Sequence, residues 1–417
     1  MSSLFKRRSA CALCSAASAD LLQVLSLAPT PPANEFVREE ELAQLQESIP
    51  LTLLLCRICG HLQLAEIVDP ARLFRNYVYV SGTSPVFVAH FDRYATSAIA
   101  RFGLGVSSFV VDIGSNDGTL LKQFQAQGVG KVLGIDPATD IAKAARDSGV
   151  PTLEAFLTPE LAGEIVTNSG AADLICANNV FAHAEDLRGF TQAVYRLLAE
   201  RGVFIFEVSY VVDVVEKLLF DTIYHEHLAY HSVTPLIRFF NSLGLRLFDA
   251  ERIDTHGGSL RCYVCRHAAP YADTERLTDL VQLERDLGLS EPEVYRQFKE
   301  RISARGAQLR GRLKEIQQNG QRVAGFGAPA KLTPLMHEFG LNGSHIDFVI
   351  DDSAWKQGLY TPGTHIRVVP SSELYQRRPD YCIVFAWNFA ESIIAKHAAY
   401  TDAGGHFLVP LPELKEI

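Results

Sequence analysis

Between Tyr224 and His231 the chain reads Tyr-His-Glu-His-Leu-Ala-Tyr-His, three histidines, a carboxylate and two tyrosines within eight residues. Imidazole titrates near neutrality, so a histidine here could take a proton from a carbon beside a carbonyl while a neighbouring tyrosine or histidine stabilises the enolate. If the block is extended, His225 and His227 share one face and Glu226 takes the other; if it is helical, His227 and His231 share a face. Two further uses stay open: a metal held by His225, His227 and His231, or a polar face with no chemistry.

The cysteines give a second signal. Cys11-x-x-Cys14 and Cys56-x-x-Cys59 each place two thiolates on one tight turn. Four such sulfurs complete a tetrahedral zinc shell with no open position, which makes the expected site structural. Cys262 and Cys265 share the same spacing inside the strand-like Leu260–Cys265. They are expected in the core, as are Cys176 and Cys382.

Two glycine turns follow strands. In Val110-Val-Asp-Ile-Gly-Ser-Asn-Asp-Gly118 a buried strand runs into a loop that carries the acid Asp117. Such an acid repels a pyrophosphate, whereas a ligand with a sulfonium and an ammonium suits it. Asp136 ends the next strand, where its carboxylate could accept both ribose hydroxyls of an adenosine. Asn178 and Asn179 stand at the mouth of the third strand, with His183 just beyond. The second turn, Gly325-x-Gly327-x-x-Ala330, has Asp351-Asp352 at the end of the strand after it. By spacing alone it is the better dinucleotide fingerprint, and it supports NAD as readily as another pyrophosphate ligand.

The elements that must position these residues follow a regular rhythm. Strands at Phe109–Ile113, Lys131–Ile135, near Leu174–Ala177 and at Gly202–Glu207 alternate with helical segments, which implies a parallel sheet. The rhythm returns at 322–326, 346–350, 381–387 and 406–409. Charged, helix-prone sequence from Tyr271 to Gln318 lies between the two sheets, and an amphipathic helix is expected over Pro85–Phe102. The expected fold is therefore α/β: a zinc-binding module over 1–75, a class I Rossmann-like domain over 76–250 and a second Rossmann-like α/β domain over 251–417. In 417 residues, 39 basic against 48 acidic side chains give a net charge of -9, the wrong sign for a nucleic-acid partner. The apolar stretch after Lys6-Arg-Arg8 is too short for a signal peptide, and no apolar run approaches a membrane span, so a cytoplasmic protein is expected.

The motifs, in this order, resemble the sugar C-methyltransferase family of deoxysugar biosynthesis, whose members methylate a carbon of a dTDP-linked 4-keto sugar. The pieces that carry the resemblance are the two CxxC pairs, Asp112–Gly118, Asn178-Asn-Val180, Tyr224-His-Glu-His227, Gly325-Phe-Gly-Ala-Pro-Ala-Lys331, Lys356-Gln-Gly358 and Thr361-Pro-Gly-Thr-His365. The family usually continues Pro-Ala-Lys with Gly-Asn-Thr; this chain has Leu332-Thr333-Pro334. The resemblance implies S-adenosylmethionine on Asp112, Gly114, Asn116, Asp117, Gly118, Asp136, Asn178 and Asn179. It implies His227 as base, with Tyr224, His225, Glu226 and His183 around the reacting carbon. Tyr77 or Tyr79 would close the pocket, and Lys331, Lys356 and His365 would contact the nucleotide-sugar. The rival readings are an NAD-dependent nucleotide-sugar oxidoreductase or epimerase using the Gly325 turn, and a non-catalytic zinc-stapled binding protein.

Overall fold

The structure, a computed structural model, describes residues 4–74, 82 and 85–417. Its central sheet has seven strands. Thr152–Leu153, Lys131–Ile135, Phe109–Ile113, Ala172–Asn178 and Leu198–Ser209 run parallel, in that spatial order. The hairpin of Leu245–Ile253 and Ser259–Arg266 then closes one edge, the second of its strands antiparallel to Leu198–Ser209. Strands such as Phe109–Ile113 are buried at every residue, as strands covered on both faces must be. The sheet thus continues past residue 250 to Arg266. The hairpin belongs here because Ser259–Cys265 pairs residue for residue with Val203–Ser209.

The C-terminal sheet has six strands. Val368–Val369, Val349–Ile350, Val323–Phe326, Tyr381–Val384 and His406–Val409 are parallel, and Lys415–Glu416 returns antiparallel. The helix Pro292–Gln318 buries Tyr295, Phe298, Ile302, Leu309, Leu313 and Ile316 along one stripe. It packs on the helix Leu332–Phe339, on the strand Leu21–Thr30 and on the helix Val211–Glu216, so it touches all three parts of the chain. Among the described residues no helix is long and apolar enough to cross a membrane.

The N-terminal module is an antiparallel sheet of Leu21–Thr30, Ile49–Cys56 and Leu62–Leu64, and its fourth strand is Ala229–Tyr230, directly after the Tyr224–His227 block. The Sγ atoms of Cys11, Cys14, Cys56 and Cys59 all lie within 4.8 Å of one another. Cys11–Cys59 and Cys14–Cys56 are each 3.6 Å apart. A Zn–S bond of about 2.3 Å gives tetrahedral edges of about 3.8 Å, so the four sulfurs fit the ion. Cys176, Cys262, Cys265 and Cys382 are buried in the core as expected.

Because the sheet that zinc would staple takes Ala229–Tyr230 as its edge, stripping the metal should loosen the segment that carries His227. Metal analysis should find one zinc per chain, lost in Cys56→Ser, and chelation should lower both the melting temperature and the turnover. A chelated protein with unchanged turnover would separate the module from the site.

Candidate active site

The three parts of the chain meet around one cavity of about 830 Å³. Its floor is the carboxyl edge of the central sheet, where Phe109–Ile113 turns sharply at Gly114. This residue has φ +66°, and a Cβ on it would lie 2.3 Å from Val180 Cγ2, so both backbone and space demand glycine. Asp136 Oδ2 accepts from the Asn116 backbone N–H and Oδ1 from that of Ala138, both at 2.9 Å. The loop is thereby pinned to the end of the neighbouring strand. Burial, and then Asp136 close by, push the Asp112 carboxyl well above the usual carboxylate range. Burial also raises Asp136. Beside them Asn178 has its Oδ1 and Nδ2 buried without a partner among the described residues. Two carboxyl groups held out of water and a primary amide with nothing to bond make a floor that calls for a cationic, hydrogen-bonding ligand. S-adenosylmethionine has that character.

One wall is the turn Phe220–Thr222 and the residues after it. His227 Nδ1 lies 2.7 Å from the Thr222 carbonyl, which can only accept, so that nitrogen carries the proton. Nε2 then presents its lone pair toward the Tyr224 hydroxyl, which donates at 3.1 Å. The His183 ring stacks on that of His227, centroids 5.1 Å apart. Burial pushes His227 down to about 4, and the Lys331 charge adds to the effect. Burial and His227 together drive His183 well below its ordinary value. Both rings are neutral at pH 7, which is the state a base requires.

The opposite wall belongs to the C-terminal domain and includes Gly327, Lys331, Asp351 and Lys356. Lys356 Nζ donates to the Ala328 carbonyl at 2.9 Å. Lys331 is only 8% exposed and sits over the Trp387 ring, 4.9 Å from its centroid.

Of the expected site residues, Asp112, Gly114, Asn116, Asp136, Asn178, Asn179, His183, Tyr224, His227, Lys331 and Lys356 line this cavity. Others are placed elsewhere. Asp117 accepts from Thr119 Oγ1 at 2.6 Å and from the Gly82 N–H at 3.1 Å, so it braces the start of the helix Thr119–Ala126 instead of facing the ligand. Gly118, φ +77°, would place a Cβ 2.8 Å from Val150 and is a packing glycine. His225 turns to the zinc module, where its Nε2–H donates to the Pro50 carbonyl at 3.2 Å. Glu226 is buried behind the wall and accepts from Asn34 Nδ2 at 2.7 Å; burial raises it to about 7. His365 sits outside the cavity in the Thr361–His365 turn. Tyr77 and Tyr79 lie outside the described residues. The Thr222 carbonyl and Asn34 were not anticipated: a backbone carbonyl has no signature in sequence, and Asn34 follows Pro29, Pro31 and Pro32 in a stretch without a motif.

The histidines do not form a metal site. His225 and His227 face different domains and His231 stacks on His61 and Phe181. Among the described residues the four cysteines are the group that could hold an ion. The glycines of the second turn also have packing reasons, since a Cβ on Gly325 would meet the Phe385 ring at 2.6 Å and one on Gly327 the Ala386 Cβ at 2.5 Å. Asp351, at the end of the strand after that turn, accepts from the backbone N–H groups of Ala328 at 2.7 Å and Ser353 at 2.8 Å.

The doubly wound sheet with its reversed edge hairpin, and the acidic ligand floor at its carboxyl edge, define a methyltransferase that uses S-adenosylmethionine. Three family models match in sequence: a zinc-binding domain over residues 11–74, a methyltransferase domain over 87–249 and the C-methyltransferase C-terminal domain over 254–412. The C-methyltransferase NovU of Streptomyces niveus is 34% identical over 398 residues, which is 95% of this chain and 94% of that protein. Among solved structures, magnesium protoporphyrin IX methyltransferase from Synechocystis PCC 6803 is 15% identical over 43% of this chain and 83% of its own, with a TM-score of 0.34. A methyltransferase from Anabaena variabilis is 16% identical over 43% and 86%, with a TM-score of 0.36. The chain belongs to the C-methyltransferase family, with the zinc-binding, methyltransferase and C-terminal domains in the family's order. Membership sets aside the oxidoreductase and scaffold readings.

Gly114→Ala forces a Cβ into Val180 at a left-handed backbone position. Calorimetric titration on the folded variant should show S-adenosylhomocysteine affinity falling at least about tenfold, the equivalent of roughly 1.4 kcal/mol, together with a lower melting temperature from the strained backbone. Wild-type affinity in this variant would place the donor away from the Gly114 turn.

Proposed function

We propose that the protein methylates a carbon next to the ketone of a nucleotide-linked deoxysugar, dTDP-linked by the family resemblance, with His227 as the base. The observation that carries the mechanism is the pair of contacts on the imidazole. Thr222 holds Nδ1–H at 2.7 Å and leaves the Nε2 lone pair inside the cavity, facing Tyr224. A buried, neutral histidine with a fixed tautomer is a proton acceptor and nothing else until it has accepted.

Asp112, Asp136, Asn178 and the Gly114 turn would hold S-adenosylmethionine at the acidic floor. When bound, it supplies an electrophilic methyl group. The substrate would lie between that floor and the C-terminal wall, where Lys331 and Lys356 favour a ligand with several negative charges. His227 Nε2 takes the α-proton, Tyr224 gives way to the C–H bond, and the electron pair moves onto the ketone oxygen. The carbonyl re-forms as the carbon gains the methyl, and the proton leaves His227 afterwards. The His183 ring keeps the imidazole in plane, and burial of both rings excludes the water that would quench the enolate. A cavity of about 830 Å³ is at the large end for a single small ligand and has room for two to meet.

In D2O, with a dTDP-linked 4-keto-6-deoxyhexose and S-adenosylhomocysteine in place of the methyl donor, the enzyme should exchange one α-hydrogen. His227→Gln should slow the exchange by about 10²–10⁴-fold while S-adenosylhomocysteine still binds. Exchange at the wild-type rate would remove His227 as the base.

The pH profile is a separate check. Protonation deletes the Nε2 lone pair, so the rate should fall as pH drops through about 4, the depressed value of the buried ring, and not near its ordinary 6.5. An acid limb at 6.5 would mean that the base is an exposed group.

A further inference from the structure

We infer that Lys331 is a catalytic residue of the proton-transfer step: its ammonium faces the ketone oxygen and carries the charge of the enolate, leaving the diphosphate to Lys356 and the turn before it. The inference rests on the keto-sugar reading and deepens it.

The two lysines of the C-terminal wall are not equivalent. Lys356 is half-buried, and its ammonium is tied to the Ala328 carbonyl beside the Gly327–Ala330 turn. Lys331 is buried, and the group under its ammonium leads straight to the base. Trp387, whose ring it covers at 4.9 Å, donates Nε1–H to Asp221 Oδ2 at 2.6 Å. Asp221 is followed in the chain by Thr222, whose carbonyl holds His227. One short turn, Phe220–Thr222, therefore carries the counter-charge of Lys331 on one residue and the orienting carbonyl of the base on the next. Thr222, Tyr224, His227 and Lys331 all line the same cavity.

The kind of charge to be met separates the two roles. A diphosphate is fully charged before, during and after the reaction, and a half-exposed lysine answers it at small desolvation cost. Burying an ammonium is costly, and the cost is recovered where charge develops in a place closed to water. An enolate oxygen is such a charge. The base also needs the help: burial and Lys331 itself make His227 a weak proton acceptor, so the transfer must gain on the side of the product. Burial lowers Lys331 and raises Asp221, and the attraction between the two charges offsets part of each shift. In the step, the C–H bond breaks, the proton goes to His227 Nε2 and the electron pair goes to the oxygen, where the Lys331 N–H groups meet it. When the carbon gains the methyl the pair returns to the carbon, and Lys331 keeps its protons throughout.

The experiment is the same α-hydrogen exchange in D2O, with the full-length protein, saturating dTDP-linked 4-keto-6-deoxyhexose and S-adenosylhomocysteine, combined with calorimetric titration of that sugar nucleotide. Lys331→Met keeps the length of the side chain but leaves the buried Asp221 without its counter-charge, so its melting temperature and S-adenosylhomocysteine affinity are measured beside the rate; Lys331→Arg keeps the charge. The expected result is an exchange rate lower by about 10²–10³-fold in Lys331→Met, a dissociation constant for the sugar nucleotide that changes far less than the rate does, and partial recovery in Lys331→Arg. Two results overturn the inference: exchange at the wild-type rate in Lys331→Met, or a loss confined to sugar-nucleotide affinity, which would return Lys331 to the diphosphate. If the wild-type protein binds the keto-sugar nucleotide and exchanges nothing, the keto-sugar reading fails and the inference with it; normal wild-type exchange with an unaffected Lys331→Met fails the inference alone.

Discussion

The hydrogen bond from His227 Nδ1 to the Thr222 carbonyl, 2.7 Å long and out of water, is the constraint on which the site depends. It selects one tautomer of a ring that would otherwise exchange between two, and it aims the remaining lone pair into the cavity. Keeping it requires both ends to be immobile. Thr222 is held from the C-terminal domain, through Trp387 and Asp221. The chain just after His227 is held from two other sides. The Leu228 N–H donates to the Ala182 carbonyl of the central domain, and the Leu228 carbonyl accepts from Leu64 of the zinc module, each at 2.9 Å. Adjacent residues thus serve different domains. His225 bonds the module, Glu226 bonds Asn34 and His227 faces the cavity. A metal-binding module far from His227 in sequence is in this way part of that residue's support.

The cavity is electrically polarised across its width. Its floor holds two carboxyl groups that burial keeps from ionising easily, and its far wall holds two lysines. Under the proposed function, S-adenosylmethionine would lie at the carboxyl floor and the nucleotide-sugar against the lysine wall.

The cysteine pairs, the Gly114 turn and the histidine block were legible because each depends on residue type at short spacing. The four-cysteine geometry and the lining of the cavity by Asp112, Asp136, Asn178, Tyr224 and His227 follow those signals closely. What was not legible is the direction a side chain takes when local and distant partners compete. Asp117 reads as an acid toward the ligand, yet a hydroxyl two residues away, Thr119 Oγ1, captures it. Glu226 reads as a member of the reacting cluster, yet Asn34, 192 residues away in the chain, draws it behind the wall. The Asp221–Trp387 bond spans 166 residues, and neither residue stands in a motif. The expected boundary at 250 cuts the Leu245–Arg266 hairpin in two, because strand pairing is a long-range choice that periodicity does not show.

The most direct test of the account is the protonation state of His227 itself, read from the ring nitrogen shifts of histidine-labelled protein by long-range proton–nitrogen correlation and assigned with His227→Gln. The account predicts a neutral ring at pH 7 with the proton on Nδ1 and a bare Nε2. An imidazolium at pH 7, or a neutral ring with its proton on Nε2, would contradict it.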